Sequence, residues 1–334
     1  MTVRAVRYLV RAVGSVGLLA GTLAVAAYLF HSLVLNAPGP HESDTLILVE
    51  SGDGHATIRW SLKRANVISD VYLYDAARLW QGTSFMPKAG EYLIPVNATL
   101  ADTMAIIHKG RSYQRRLTII EGLRSDEIKN QLNAAKHLVG KVENLPKEGS
   151  ILPETYFYTF GMTRQSLLDH MQQKRELLLI ESWIERDKDL PLDSREDAII
   201  LASIVEKESS DPQERRLVAG VFVNRLKRGM RLQSDPTVLF GVSSNPDRAI
   251  TKADLKRKTP WNTYQMSGLP KTAICNPGED AILATLNPAK TDYLYFVSDA
   301  KGGLLFAKTL DAHNRNVRLF RKTQKAQRKA NVAK

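Results

Sequence analysis

The sequence predicts an α+β protein built from an N-terminal membrane-spanning helix, a small β/α module and a larger, mostly helical domain. Three observations carry this reading. Residues 12–30 contain no charge, residues 45–109 alternate β-rich runs with helical spacing, and the chain beyond residue 149 shows long helical periodicities punctuated by caps. At 334 residues the chain is long enough for one large domain or two modest ones.

The spanning helix comes first. Ala12 to Phe30 is a run of nineteen uncharged residues, which at about 1.5 Å per residue approaches the roughly 30 Å hydrocarbon thickness. Arg4, Arg7 and Arg11 precede it, and the next cation is Arg59, so the positive-inside rule places the short N-terminus in the cytoplasm and the body outside. Tyr28 and Phe30 suit interface anchors. A cleaved secretory signal with Ala24-Val25-Ala26 as its small-x-small site is the rival; either way the body is exported.

Charge narrows the function classes. The formal net charge is +12, but three of the cations lie before the apolar run, and a further eight follow Asp311 with no acid among them. The body is therefore close to neutral and lacks the positive stripe of a nucleic-acid binder. The basic tail reads as a solvated helix end, with anionic lipid or the acidic wall polymer as candidate contacts. A single cysteine, Cys275, excludes an intramolecular disulfide and a multi-cysteine metal site.

Punctuation then divides the chain. Residues 1–36 are the cytoplasmic tip and spanning helix, and 37–44, with Pro38-Gly39-Pro40, form an extended linker. Within the module at 45–110, strands at Thr45–Val49 and Gly90–Ile94 bracket helices over 56–67 and 71–80, and a third helix covers 99–109. A connecting β/α segment fills 111–148, with a strand over 116–120 and a helix capped by Ser125. Beyond the turn-rich 144–149 come the main domain at 149–323 and the basic tail at 324–334.

The chemistry concentrates on the helix Glu196 to Ser210. At 100° per residue Leu201, Ile204, Val205 and Glu208 share one apolar face, whereas Glu206 sits on the opposite side with Ile199 and Ala202. A carboxyl on a dry face resists ionisation and keeps a proton to donate near neutrality, as a general acid must. The bland alternative is a buried carboxylate paired with Arg215 or Arg216. Asp211-Pro212 and Asp235-Pro236 each pair a cap with a first-turn proline, which leaves Gln233 and Ser234 just before a helix N-terminus. Trp261-Asn-Thr-Tyr264 and Ser267-Gly-Leu-Pro270 add amide, hydroxyl and aromatic groups of the kind that hold sugars.

Taken in order, Ala202-Ser-Ile-Val-Glu-Lys-Glu208, Val221-Phe-Val-Asn-Arg-Leu226, Gly229-Met-Arg-Leu-Gln-Ser-Asp-Pro-Thr-Val238, Asn262-Thr-Tyr264, Gly268-Leu-Pro270 and Asn276-Pro-Gly278 resemble the catalytic domain of the endolytic murein transglycosylase family, the MltG or YceG-like proteins. Tyr293-Leu-Tyr-Phe-Val297 and Glu121-Gly-Leu-Arg-Ser125 extend the match. The chain departs where a large aromatic or Phe-Pro-Asp is expected between Gly149 and Tyr156; it has Ile151-Leu152-Pro153-Glu154 instead.

The resemblance implies a peptidoglycan lyase with Glu208 as catalytic residue and Glu206 in a supporting position. It implies Gln233, Ser234, Asp235, Asn262, Tyr264 and Gly268 as substrate contacts, and residues 45–110 as a LysM-like wall-binding module. It also implies glycan strands as substrate, no metal or organic cofactor, the inner membrane as location, and a role beside the peptidoglycan synthases in terminating strands. No second carboxylate matches the claim of Glu208, which fits a transglycosylase rather than a two-carboxylate muramidase. The competing class is a non-catalytic, membrane-anchored wall-binding scaffold.

Overall fold

The charge-free run folds as helix α1 (Val3–Phe30), which continues through a single wider π turn, His31–Leu35. The computed structural model describes residues 3–243, 245 and 248–332. Among the described residues one helix, Arg11–Leu35, is long and apolar enough to cross a membrane. Its Val13, Val16, Leu19 and Leu23 project outward with nothing of the chain packed on them.

The chain divides into two units, one up to Arg115 and one from Arg116 onward. In the first, β1 (Thr45–Val49) and β2 (Gly90–Ile94) form an antiparallel pair in the register Thr45 to Ile94 through Val49 to Gly90. Between them in sequence lie α2 (His55–Arg64) and α3 (Val71–Gln81), and α4 (Leu100–Lys109) follows. Period-two alternation turns Ile47 and Val49 inward and leaves Leu46 exposed. Ile58, Leu62, Tyr74, Tyr92 and Met104 complete the core, each burial stabilising by about 1.5–3 kcal/mol.

The segment expected to be an extended linker packs on this module. Leu35 is part of the module core, Pro38 bridges to Thr99, and the buried His41 ring donates to the Pro95 carbonyl at 2.6 Å. Two prolines stop the helix without freeing the chain, because its apolar and polar groups find partners at once.

Strand β3 (Arg115–Thr118), all but its first residue in the second unit, pairs with β4 (Thr155–Tyr158), and α5 (Ser125–Ala134) and α6 (Arg164–Ile184) join them. Ser125, expected as the cap of α5, is its first residue; its N–H and hydroxyl both donate to the Glu148 carboxylate, so the hydroxyl does not turn back onto the helix. Ile119, Ile128 and Leu132 share one core with Tyr156, Leu167 and Met171. The boundary expected near residue 148 thus falls inside a continuous core, since the turn-rich passage 144–149 is a connection within a unit. A second core surrounds α7 (Arg195–Glu208), with α8 (Pro212–Lys227) and α11 (Glu279–Leu286) against it. Shorter helices α9 (Asp235–Val242) and α10 (Lys252–Lys256), a hairpin of β5 (Tyr295–Ser298) and β6 (Leu304–Ala307), and α12 (Leu310–Val332) complete it. The basic tail expected at 324–334 is largely the end of α12, its last two residues lying outside the described ones.

Every residue of α7 from Ala198 to Val205 is buried. The helix is therefore enclosed on all sides, and the single apolar stripe read from the sequence understates its burial. Ser194 and Asp197 form a reciprocal capping box at its start. Below it Cys275 is fully buried, its thiol donating to the Ser203 carbonyl at 3.3 Å, and burial pushes that thiol well above its usual range.

Candidate active site

Helix α7 emerges from the core again in its last turn, and the two glutamates of that turn have opposite fates. The Glu206 side chain is buried and accepts from Arg215 Nη2 at 2.7 Å and from the Gly278 backbone N–H at 2.9 Å. Burial raises its carboxyl above the ordinary value, while the Gly278 N–H and Arg215 pull it back. Arg215 also donates to the Ser209 carbonyl at 2.9 Å and reaches Glu121 at 3.2 Å, so it clasps the corner from α7 to α8. Gly278 permits the clasp: a Cβ there would lie 2.1 Å from Glu121 Oε1. The ion pair weighed for Glu208 is thus formed by Glu206.

Glu208 forms no salt bridge among the described residues. Its Oε1 accepts one hydrogen bond, from Ser234 Oγ at 2.6 Å. The carboxyl lines a cavity of about 450 Å³ shared with Arg225, Gln233, Asp235, Tyr264, Tyr295 and His313. Burial pushes its pKa from 4.5 up to about 7, helped by the negative charge of Asp235 and opposed by the Ser234 hydroxyl and by Arg225. A large part of Glu208 is therefore protonated at neutral pH, with space in front of it.

The neighbours are held by the backbone around α9. Gln233 adopts a left-handed φ of 52° and donates its N–H to the Thr263 carbonyl at 3.2 Å. This kink lets the next residue, Ser234, be buried with its N–H on Thr263 Oγ1 at 3.0 Å and its hydroxyl aimed at Glu208. Asp235 begins α9 and accepts from the Tyr264 hydroxyl at 2.7 Å. The structure brings these four predicted residues together around Glu208. Asn262 and Gly268 do not join them. Asn262 is fully buried, and its amide donates to the carbonyls of Asp254, Leu255 and Arg257 while its oxygen accepts from the Tyr264 N–H. It shapes the loop that presents Tyr264. Gly268 occupies a turn at φ +81° and does not line the cavity.

Three lining residues escape the sequence reading. Arg225 is buried on α8, donates to the Leu294 and Leu232 carbonyls at 2.7 and 2.6 Å, and lies over the Tyr295 ring. Its charge is spent on carbonyls rather than on Glu208. Tyr295 stacks in turn on His313 of α12, with ring centroids 5.3 Å apart. An arginine within the apolar run Val221 to Leu226 is a usable signal; His313, in a basic stretch far along the chain, offers none.

Two other cavities clarify the choice. One of about 620 Å³ is lined by Asp189, Lys227 and Lys308, whose charges are already paired at the surface. Another, of about 710 Å³, is bounded by Glu121, Arg124, Lys207 and Asp235, and so shares Asp235 with the Glu208 cavity.

The Ser234 contact predicts a pH effect. Its hydroxyl favours the ionised form of Glu208, so Ser234→Ala moves the Glu208 titration, followed by carbon NMR of the labelled carboxyl, to higher pH.

Comparison with known proteins finds relatives in both sequence and structure. Residues 47–319 match the sequence model of the YceG-like family. A Bacillus subtilis protein named endolytic murein transglycosylase is 32% identical over 68% of this chain and 64% of its own length. A Streptococcus pneumoniae protein of the same name is 28% identical over 88% of this chain and 62% of its own length. The chain thus spans a little under two thirds of the length of these curated relatives. A crystal structure of a yceG-like protein from Listeria monocytogenes superposes with a TM-score of 0.50 at 25% identity, covering 82% of this chain and 99% of that one.

Proposed function

Since the chain belongs to the YceG-like family, we propose that it is a membrane-anchored endolytic murein transglycosylase with Glu208 as its catalytic residue. The observation that carries the proposal is a single buried carboxyl, poised to hold a proton near neutrality, without a salt bridge among the described residues and open to a cavity. Glu208 protonates the oxygen that bridges muramic acid to glucosamine, and the bond from that oxygen to the muramic C1 breaks. The resulting carboxylate takes the proton of the muramic C6 hydroxyl as its oxygen closes on C1. The product is a 1,6-anhydro end, the proton returns to Glu208, and no water is consumed. No metal or organic cofactor takes part.

Each neighbour has a task in this scheme. The negative charge of Asp235 disfavours the carboxylate form of Glu208, and the Tyr264 hydroxyl holds Asp235 in place. Ser234 orients the acid, while Gln233 and the Tyr295–His313 stack offer polar and flat aromatic surface to the sugars. Glu206 supports the corner through Arg215. Room on both sides of Asp235 suits a strand bound at an interior position, as endolytic cleavage requires. Helix α1 crosses the inner membrane with its N-terminus in the cytoplasm, the first unit grips the wall in the manner of a LysM-like module, and nascent glycan beside the synthases is the substrate.

Asp235 supports a second reading, a muramidase in which it activates water as the base of a two-carboxylate pair. Mass spectrometry of purified glycan strands digested with the full-length protein separates the two. Anhydro ends, lighter by one water, are expected. Reducing ends support the muramidase instead, and intact strands support a scaffold that binds without cutting.

A further inference from the structure

The first unit exposes three large apolar side chains close together in sequence, one of them against the end of α1. Leu79 at the end of α3 is 72% exposed, its neighbour Trp80 is 52% exposed, and Met86 in the following turn is 69% exposed. Three large apolar side chains exposed within eight residues of sequence raise the question of what covers them. The nearest structural partner identifies the contact. The Trp80 ring packs against Phe30, with centroids 5.3 Å apart, and Phe30 is the last residue of α1, one turn before the apolar span closes at Leu35.

That ring contact fixes depth. Whatever height Phe30 takes in a bilayer, Trp80 shares it to within a side chain, and indole rings favour the headgroup boundary, where one edge is apolar and the other wet. No slack separates the two. Phe30 and Val34 pack on the module core and Leu35 is 4% exposed within it, so the helix runs directly into the module. The chemistry around Met86 suits the same surface. The Met86 N–H donates to His108 at the end of α4, and the exposed cations Lys88, Lys109 and Arg111 lie on the adjoining residues. Anionic headgroups attract such a cluster, and each cation near the surface adds to the attraction.

We propose that the end of α3 and the turn after it, with Leu79, Trp80 and Met86, lie in the outer headgroup layer of the bilayer, so that the module rests on lipid as well as being tethered through it. This rests on the reading of α1 as a spanning helix. The occupant is the membrane surface itself; no second copy of the chain is needed.

The test uses the full-length chain with Cys275 in place, since that thiol is fully buried in the folded protein. Nitroxide labels are attached singly to Leu79→Cys, Met86→Cys, Leu19→Cys in the span and Asn144→Cys in the second unit. The protein is reconstituted in vesicles of phosphatidylethanolamine and phosphatidylglycerol. Collision with oxygen, which concentrates in lipid, is compared with collision with a water-soluble nickel chelate. The expected ratio of oxygen to nickel collisions is several-fold higher at positions 79 and 86 than at position 144, and higher still at position 19. If positions 79 and 86 match position 144 while position 19 reports lipid, the patch faces water; the proposal then fails and the anchor stands. If position 19 also reports water, the spanning helix itself is wrong. Spin–spin broadening at position 79 that disappears on dilution with unlabelled protein assigns the patch to a second copy and overturns the proposal.

Discussion

Glu208→Gln is expected to abolish formation of anhydro-ended glycan and, at the same time, to make the protein more stable at neutral pH. The first effect follows from chemistry: an amide cannot supply the proton, and loss of a general acid alone costs about 10²–10⁴ in rate. The second follows from linkage. The folded-state pKa of Glu208 is raised from 4.5 to about 7, so between those values the folded protein holds a proton that the unfolded chain has released. Stability therefore falls as pH rises from about 4.5 to about 7, by roughly 3 kcal/mol in all, and stays lower above that window. The substituted amide has no ionisation to suppress. Thermal melts of both proteins at pH 5 and pH 8 check this: the variant loses less Tm between the two and exceeds the wild type at pH 8. A variant as inactive as expected but less stable at pH 8 would show that Glu208 is not held in a dry site. Wild-type cleavage should weaken as pH passes about 7, where the acid form disappears.

Arg215→Ala has the second large effect, on folding first. Removing the guanidinium leaves Glu206 buried with only the Gly278 N–H, and breaking a buried pair from one side costs about 3–5 kcal/mol. For a unit of this size that is a Tm lower by roughly 10 °C. Cleavage falls too, because Arg215 also holds the Ser209 carbonyl directly after Glu208. Adding Glu206→Gln recovers part of the lost Tm, since a neutral amide needs no counter-ion and its oxygen can still accept from Gly278. A double variant no more stable than Arg215→Ala shows that the arginine acts through its other contacts.

Much of this site was legible because α7 is a regular helix. Helical geometry alone separates Glu208 from Glu206, and the two Asp-Pro pairs mark where α8 and α9 begin. What local pattern cannot convey is which polar groups are already used. Asn262 has the side chain of a sugar ligand, yet its amide is spent on three carbonyls of its own loop. Tyr295 and His313 reach the cavity because the β5–β6 hairpin and α12 pack against one another, a tertiary event without a local signature. The fold shows the same division. The strands and helices of the first unit follow from periodicity, whereas the packing of residues 37–44 and the continuity of the core across residue 148 depend on contacts distant in sequence.

The enclosure of Cys275 beneath α7 has a practical and a biological consequence. Its sulfur is sealed under α7, so in an oxidising compartment it resists sulfenylation and mixed-disulfide formation for as long as that helix stays docked. The lone thiol thereby serves as a native clock, because the rate at which an alkylating reagent modifies it counts the openings of the helix that carries Glu208.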